Sequence, residues 1–592
     1  MIGSFKKSNN SLTLKAKIFS VTLLTLILPL KAIGNVTMAA PEPATGWKGK
    51  PEVAASEYMA VTANPIATQV AVDVLANGGN AIDAMVAAQL VLNLVEPQSS
   101  GIGGGAFLVY WDANKRLLQT FDGRETAPAL ADEDYFRKPS GDLLKWRQAR
   151  IGGRAVGVPG TLDLLHTAHK QFGDHDWAKL FQPAINLARE GFSVSPRLSR
   201  SIAGASKYLK TFPETAKYFF TPAAEPLPAG YVLKNPAFAE TLSLIASKGP
   251  GVFYDGPIGD EILESLGNTS ELPSLMTEDD LRAYQTISRP AVCAPFKDFS
   301  ICGMGPPSSG GLTVGQILGI SEHFNLQGMG PTPDGIHIVL EASRLAFADR
   351  ARFMADSDFV SVPVAGLINP GYLKKRARLI QTETAMDKAQ SGNPPGADLS
   401  QATFYHPESV GTSHLSIVDQ QGNIVSLTTT IESGFGSTIM TQGFLLNNEM
   451  TDFSFRKSVE NRPIANRVEG SKRPRSSMAP TIVFNSGGRP VLVAGSPGGS
   501  RIICYVAKTI VNILEWDMRP QEAVSTPHFC NRNGKTELEP QTPETTQKAL
   551  VSAGHDINIK EMNSGLHVIQ ILSDGRLIGG ADPRREGLAM GD

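Results

Sequence analysis

Cysteine is scarce in this chain. Its four cysteines, Cys293, Cys302, Cys504 and Cys530, form no C-x-x-C pair and have no zinc-type histidine spacing beside them, which argues against a structural zinc site. A Gly-x-x-x-x-Gly-Lys-Ser/Thr run is missing, because Phe529 stands where the first glycine would precede Gly534-Lys535-Thr536; no phosphate loop is encoded. His-Glu-x-x-His and Gly-x-Ser-x-Gly are missing too, and His166 and His169 read as packed or solvated helix residues. Zincin and serine-hydrolase chemistry lose their usual support. Positive charge is not in excess either. The formal net charge is −2, and the chain is more acidic still once its lysine-rich start is set aside, which argues against a nucleic-acid partner. The longest apolar run, Ile18 to Leu30, is interrupted by Pro29 and falls short of the roughly 20 residues of a bilayer-spanning helix.

That run follows Lys6, Lys7, Lys15 and Lys17 and precedes Ala32-Ile33-Gly34. A charged start, a short apolar stretch and small residues after it are the layout of a signal peptide. Residues 1–34 are therefore expected to be removed, with the mature chain starting between Asn35 and Pro41 and destined for the periplasm or the medium. The remainder is long enough to bury a large core without metals or disulfide staples. Its 57 glycines and 41% hydrophobic content describe a globular protein with many turns.

Ala67 to Leu75 and Ala81 to Leu94 carry small and apolar residues at helical spacing, predicting two packed helices. They lead into Ser99-Ser100-Gly101-Ile102-Gly103-Gly104-Gly105, then a strand from Ala106 to Trp111 and a second at Gln119 to Phe121. The Gly101-x-Gly103-x-x-Ala106 spacing has the residues of a dinucleotide fingerprint, but that fingerprint needs a strand before it and a helix after it. Here the order is reversed, and a tight turn in the core is expected instead. Residues 155 to 380 read as mainly helical with Pro and Gly punctuation, and 386 to 402 as an exposed loop. His414 to Asp419 and Ile424 to Ile431 flank Gln420-Gln421-Gly422-Asn423 as a β-hairpin. Strands at Thr481 to Phe484 and Pro490 to Ala494 and a helix at Ile502 to Glu515 complete the pattern.

One constellation carries chemistry. Gly411-Thr412-Ser413-His414 opens the first strand of that hairpin. A threonine hydroxyl becomes nucleophilic when a base takes its proton, and the α-amine of an N-terminal threonine can do so, titrating near ~8. Thr412 would first have to become N-terminal. Gly411 leaves its own carbonyl open to the Thr412 hydroxyl, and the β-branch of Thr412 holds that hydroxyl in one direction.

The surroundings strengthen this reading. Val410-Gly411-Thr412-Ser413-His414-Leu415-Ser416-Ile417-Val418-Asp419, Leu445-Leu446-Asn447-Asn448-Glu449-Met450-Thr451-Asp452-Phe453, Lys472-Arg473-Pro474-Arg475-Ser476-Ser477-Met478-Ala479-Pro480-Thr481 and Gly495-Ser496-Pro497-Gly498-Gly499-Ser500 follow one another in the chain. Together they strongly resemble the small subunit of γ-glutamyltransferases. Upstream, Gly79-Asn80-Ala81-Ile82-Asp83-Ala84, Arg124-Glu125-Thr126-Ala127-Pro128, Ala155-Val156-Gly157-Val158-Pro159-Gly160 and Pro306-Pro307-Ser308-Ser309-Gly310-Gly311 resemble the large subunit.

The resemblance implies a four-layer αββα sandwich, an α/β (α+β) fold of the N-terminal-nucleophile hydrolases. It implies self-cleavage between Gly411 and Thr412 into a large subunit, 35–411, and a small catalytic subunit, 412–592, that stay associated. Thr412 matches the nucleophile, Thr430 the threonine that helps activate it, and Gly498 and Gly499 the oxyanion-hole glycines. Arg124, Ser476 and Ser477 match the groups that hold the donor α-carboxylate, while Glu449 and Asp452, with Glu432, match those around its α-amine. The implied substrates are a γ-glutamyl donor such as glutathione and water, an amino acid or a peptide as acceptor; no cofactor or metal is implied. Two departures stand out. At Glu432 members of the family carry either asparagine or glutamate, and Phe453 to Arg475 lacks the tyrosine that some members place in a lid over the site. A glutaryl-type cephalosporin acylase of the same superfamily and an unprocessed periplasmic binding protein are the alternatives. A disulfide is also expected, because a two-residue turn at Lys297-Asp298 would set Cys293 opposite Cys302.

Overall fold

The computed structural model describes residues 46–269, 273–405 and 411–592. The expected signal peptide, 1–34, lies outside the described residues.

Two antiparallel seven-stranded sheets form the centre. The first runs, in spatial order, Leu588–Gly591, Met59–Thr62, Gly411–Val418, Ile424–Glu432, Gly105–Asp112, Leu117–Gly123 and Ile287–Arg289. The second runs Val53–Ala55, Leu577–Ala581, His567–Ile571, Pro490–Gly495, Thr481–Asn485, Phe299–Gly303 and Val292–Phe296. Side chains alternate faces along a strand, and the packing follows that period. Leu415, Ile417, Val425 and Leu427 turn outward onto the helices Pro65–Ala76 and Ala81–Val95. Val418 and Ile424 turn inward against Ile482, Val493 and Ile569 of the facing sheet. The outer face of the second sheet is covered by Gly310–Ser321, Pro333–Phe353 and Ile502–Leu514. Helix, sheet, sheet, helix is the αββα order.

The helix Ala81–Val95 begins with a capping box in which Asn80 and Asp83 exchange side-chain and backbone hydrogen bonds, satisfying the first orphan amides. Asp419 adds a carboxylate at the same place, accepting from the Ala81 N–H at 2.9 Å, which suits the positive end of the helix dipole. In this way the tip of the hairpin carrying Thr412 is fastened to a buried helix.

The inward-facing layer changes character along its length. At one end it is apolar, with Val418 and Ile424. Toward the other come Ser416, His414, Thr428, Thr430 and Thr412, all buried. His414 joins Thr428 Oγ1 at 2.9 Å and Ser416 Oγ at 3.0 Å, and Ser416 Oγ reaches the His567 carbonyl of the facing sheet at 3.1 Å. Burial lowers the pKa of His414 well below the usual histidine value, with a smaller contribution from His567, so its imidazole is neutral.

The segment from 101 to 104 is a core turn, as expected, and glycine is required in it. A Cβ on Gly104 would lie 1.9 Å from the Thr430 carbonyl oxygen, so this turn packs directly on the strand that carries Thr430. Cys293 does pair with Cys302 across a hairpin in which Phe296 faces Phe299. A second bridge, Cys504 to Cys530, fastens the helix Ile502–Leu514 to the strand Phe529–Asn531; nothing in the spacing of those two cysteines announced it. The stretch from 386 to 402 contains no helix or strand, but it is not simply exposed. Ala389 is buried, its N–H donating to Asn533 and its carbonyl accepting from it, and Ala402 is buried as well.

Candidate active site

Thr412 and Thr430 are direct cross-strand partners, and the register slips between Gly411 and Thr412. Such a bulge leaves one residue out of the ladder and re-aims its neighbours. The Thr430 hydroxyl donates to the Gly411 carbonyl at 2.5 Å and accepts from the Glu432 N–H at 2.8 Å. The Arg585 guanidinium donates to the Thr412 carbonyl at 3.2 Å. Thr430 thus holds the carbonyl of the peptide unit joining Gly411 to Thr412, and Arg585 the carbonyl of the next.

Two residues beyond Thr430, Glu432 sits at φ 74°, a left-handed conformation that a non-glycine residue adopts only at a cost of about 1 to 3 kcal/mol. Its carboxylate accepts from Ser433 Oγ at 2.5 Å and from Asn448 Nδ2. Asn448 also accepts from the Ser433 N–H at 2.8 Å and donates its own N–H to Ile431 at 3.2 Å. It therefore ties the Thr430 strand to the short 3-10 turn Glu449–Asp452, which presents two more carboxyls.

Those two carboxyls meet Arg124, which follows the strand Leu117–Gly123. Arg124 is buried and pairs with Glu449 and, at 2.6 Å, with Asp452. It also donates to the Pro474 and Arg475 carbonyls at 3.2 and 3.1 Å, so the chain just ahead of Ser476 is drawn to the same guanidinium. Burial alone would lower the Arg124 pKa, but Glu449, Asp452 and Glu125 outweigh it and hold it above the usual arginine value. Burial raises Glu449 well above the usual carboxylate range in spite of Arg124. Burial also raises Glu432, with the charge of Asp452 adding to it, and pushes Glu125 up to about 7 against the pull of Arg124.

Ser476 and Ser477 adjoin this cluster but are engaged elsewhere. The Ser477 hydroxyl accepts from Arg350 at 2.6 Å, and that of Ser476 from the Met478 N–H at 3.2 Å. The Ser476 carbonyl accepts from both the N–H and the hydroxyl of Ser309. Gly498, at φ 138°, and Gly499, at φ 59°, form the turn into the 3-10 segment Gly499–Arg501 and the helix Ile502–Leu514. Their amides stand at a helix N-terminus, where anions are favoured. A Cβ on Gly498 would lie 2.5 Å from the Tyr505 ring. The turn reaches the strand of Thr412 through packing: Pro497 and Arg585 both close on Gly565, and Arg585 holds the Thr412 carbonyl.

The structure therefore brings Arg124, Glu449 and Asp452 into contact and joins Glu432 to them through Asn448. It pairs Thr412 with Thr430, places Ser476 directly after the Arg475 carbonyl that Arg124 holds, and links the Gly498-Gly499 turn to Thr412 through Gly565 and Arg585. Sequence reading overlooked Asn448, Glu125, Arg350 and Arg585. Asn448 and Glu125 lie inside quoted motifs, where their adjacency to Glu449 and Arg124 was a usable signal. Arg350 and Arg585 are distant in sequence and become visible only through the fold.

The sequence matches the family model described as gamma-glutamyltranspeptidase over residues 67–592. It is 37% identical over 547 residues to a glutathione hydrolase proenzyme of Bacillus subtilis (strain 168), covering 90% of this chain and 91% of that one. To a glutathione hydrolase proenzyme of Escherichia coli (strain K12) it is 35% identical over 543 residues, again covering 90% and 91%. The fold is similar to the crystal structure of a cephalosporin acylase from Bacillus halodurans, with a TM-score of 0.81 and 26% identity over 94% of this chain and 99% of that one. Matched from its first core helix to its last residue, the chain belongs to the γ-glutamyltranspeptidase family.

Proposed function

We propose that the chain is a γ-glutamyl hydrolase and transferase that matures by cleaving its own Gly411–Thr412 bond, giving associated subunits 35–411 and 412–592. The observation that carries this reading is the Thr430 hydroxyl on the Gly411 carbonyl, within a family that includes proenzymes. The Thr412 hydroxyl adds to that carbonyl while the Thr430 O–H stabilises the developing negative charge. The C–N bond breaks as the Thr412 amine takes up a proton, leaving a Gly411 ester on the Thr412 oxygen. Water hydrolyses the ester, freeing the Gly411 carboxylate, the Thr412 hydroxyl and the Thr412 α-amine.

In the mature site the α-amine serves as base for the Thr412 hydroxyl. Attack on the γ-carbonyl of the donor expels the amine product and forms a γ-glutamyl ester, with the Gly498 and Gly499 N–H groups on the oxyanion. Water or an amino acid or peptide amine then attacks the ester and regenerates Thr412. Arg124 with Ser476 and Ser477 holds the donor α-carboxylate, and Asp452, Glu449 and Glu432 surround its ammonium.

Ion-pair exchange supports a γ-glutamyl over a glutaryl donor. Arg124 pairs with Asp452 at 2.6 Å and also with Glu449, so opening the Arg124–Asp452 pair frees one guanidinium edge and one carboxylate to be satisfied. A donor with both a carboxylate and an ammonium satisfies both, whereas a glutaryl group leaves Asp452 without a counter-charge, a costly outcome at a mostly buried site. Glutathione carries such a zwitterion. The two disulfides support export, since such bridges persist in oxidising compartments, and among the described residues no helix is long and apolar enough to cross a membrane.

Thr412→Ala tests the proposal. The variant should give one uncut band on a denaturing gel and no turnover of a γ-glutamyl anilide, where the parent gives two bands. Cleavage of the same bond in the variant would refute the mechanism.

A further inference from the structure

The residue after Gly499 opens onto a group of charges that the reaction described above does not use. Ser500 Oγ accepts from Arg532 Nη1 at 2.7 Å. Arg532 Nη2 lies 3.2 and 3.3 Å from the two Glu537 oxygens, and Arg501 already grips the same carboxylate bidentately at 2.7 and 2.8 Å. Lys560 is left with Glu537 at 4.0 Å. Three cations thus converge on one carboxylate whose two oxygens are both taken by guanidinium groups before Lys560 reaches it. The side chains of Arg501 and Glu537 are 7% and 8% exposed, whereas those of Arg532 and Lys560 are 32% and 18% exposed. The inner pair is structural, and the outer two present charge to solvent. Burial, followed by the nearby Arg501, lowers the Lys560 pKa, the direction expected of an ammonium short of counter-charge.

The position of this cluster gives it a use. Ser500 follows the glycine turn at which the oxyanion of the γ-glutamyl carbonyl would sit. Asn533, next to Arg532, donates to the Tyr405 hydroxyl at 2.6 Å, and Tyr405 precedes Gly411 by six residues, so it lies within about 20 Å of the cleavage point even at full extension. The group that departs from the γ-carbonyl, and the acceptor that later attacks it, occupy the same side of that carbonyl. When either is a dipeptide, its free carboxylate stands about 7 Å from its reacting nitrogen.

We propose that Lys560 and Arg532 form a subsite for the carboxylate of the leaving or attacking amine, so that the enzyme favours peptide-like anionic partners over neutral amines. The inference rests on the γ-glutamyl reading and adds to it the residues that select the other half of the substrate. Lys560 supplies an ammonium whose one counter-ion among the described residues, Glu537 at 4.0 Å, is shared with two guanidinium groups, and Arg532 a guanidinium anchored on Ser500 beside the oxyanion turn.

The test uses the processed wild-type protein with two donors, a γ-glutamyl nitroanilide and its ring-carboxylated analogue, and reads the ratio of their kcat/KM values. Lys560→Gln should lower the ratio of carboxylated to neutral donor about tenfold, the scale of one charge-assisted contact. Lys560→Glu should lower it further, and Arg532→Gln should lower it too. In wild type the ratio should fall as ionic strength rises, because partly exposed charges are screened. An unchanged ratio in all three correctly processed variants would overturn the subsite. Should the variants fail to mature, a wild-type ratio insensitive to salt would overturn it equally. Turnover of neither donor by wild type would instead remove the γ-glutamyl reading beneath it.

Discussion

The hydroxyl of Thr430 donates a 2.5 Å hydrogen bond to the carbonyl oxygen of Gly411, the residue immediately before Thr412. A strand partner would ordinarily contribute backbone groups to such a ladder. Here the register slip at Gly411 and Thr412 replaces a backbone contact by a side-chain one, on the carbonyl that must accept negative charge if the chain is to cut itself.

Thr430→Val keeps the β-branch and removes the donor. Loss of one oxyanion donor typically costs on the order of 100-fold or more in rate, so conversion of the precursor into two bands should slow by about that factor. A time course on a denaturing gel measures it. Maturation of the variant at the wild-type rate would show that the bond is structural.

Much of this site was legible in the sequence because its residues cluster in short runs. Gly411-Thr412 could be argued from its own chemistry, while Glu449 to Asp452 and Gly498-Gly499 were legible because each lies within one short motif that carries the family resemblance. The αββα order needed more. Periodicity located the hairpin of 414 to 431 and the helices at 67 to 75 and 81 to 94, but strands such as Met59–Thr62 and Leu588–Gly591 are short and pair with partners hundreds of residues away. The ion pair between Arg124 and Asp452 is of the same kind: the sequence names two charges, and only packing decides that they meet each other.

Gly498→Ala should leave the fold recognisable and the enzyme nearly inactive. At φ 138° an L side chain is strained, and its Cβ would press on the Tyr505 ring at 2.5 Å. The turn must shift, and with it the amides offered to the oxyanion. We expect kcat to fall roughly 100-fold with little change in KM. A fall confined to KM would remove Gly498 from the oxyanion hole.

The two disulfides should differ in what they contribute. They close loops with sequence separations of 9 for Cys293–Cys302 and 26 for Cys504–Cys530. Chain-entropy reasoning gives about 2.6 and 3.5 kcal/mol respectively. Replacing Cys504 and Cys530 by serine should therefore lower the unfolding midpoint in urea more than replacing Cys293 and Cys302. The reverse order would point to native-state packing as the larger effect.

Burial raises the Glu125 carboxyl to about 7. A group whose folded pKa lies above its unfolded value binds more protons in the native state, so its contribution is complete below about 4.5 and is lost as pH rises toward 7. The Tm of wild type should therefore fall across that window relative to Glu125→Gln, which cannot ionise. Parallel profiles of Tm against pH would contradict the assignment.

The most discriminating substitution is Asp452→Ala. This carboxylate pairs with Arg124 at 2.6 Å, and with a γ-glutamyl donor bound it would face the ammonium while Arg124 turned to the α-carboxylate. Its removal deletes a charge-assisted contact of about 2 to 3 kcal/mol, or roughly a 30- to 150-fold loss in kcat/KM for a γ-glutamyl anilide. A glutaryl anilide has no ammonium to lose, so its turnover should be affected far less, and the preference between the two donors should collapse. Maturation should continue, because the hydrogen bond on the carbonyl of the Gly411–Thr412 bond comes from Thr430, not from Asp452. Arg124→Lys should weaken both donors, since lysine cannot reproduce the paired donors of a guanidinium. If correctly matured Asp452→Ala and Arg124→Lys proteins both kept near wild-type turnover at subsaturating γ-glutamyl anilide, the zwitterion site would lie elsewhere. If the aspartate variant alone kept it, with wild type turning over glutaryl anilide equally well, the donor would be of the glutaryl type.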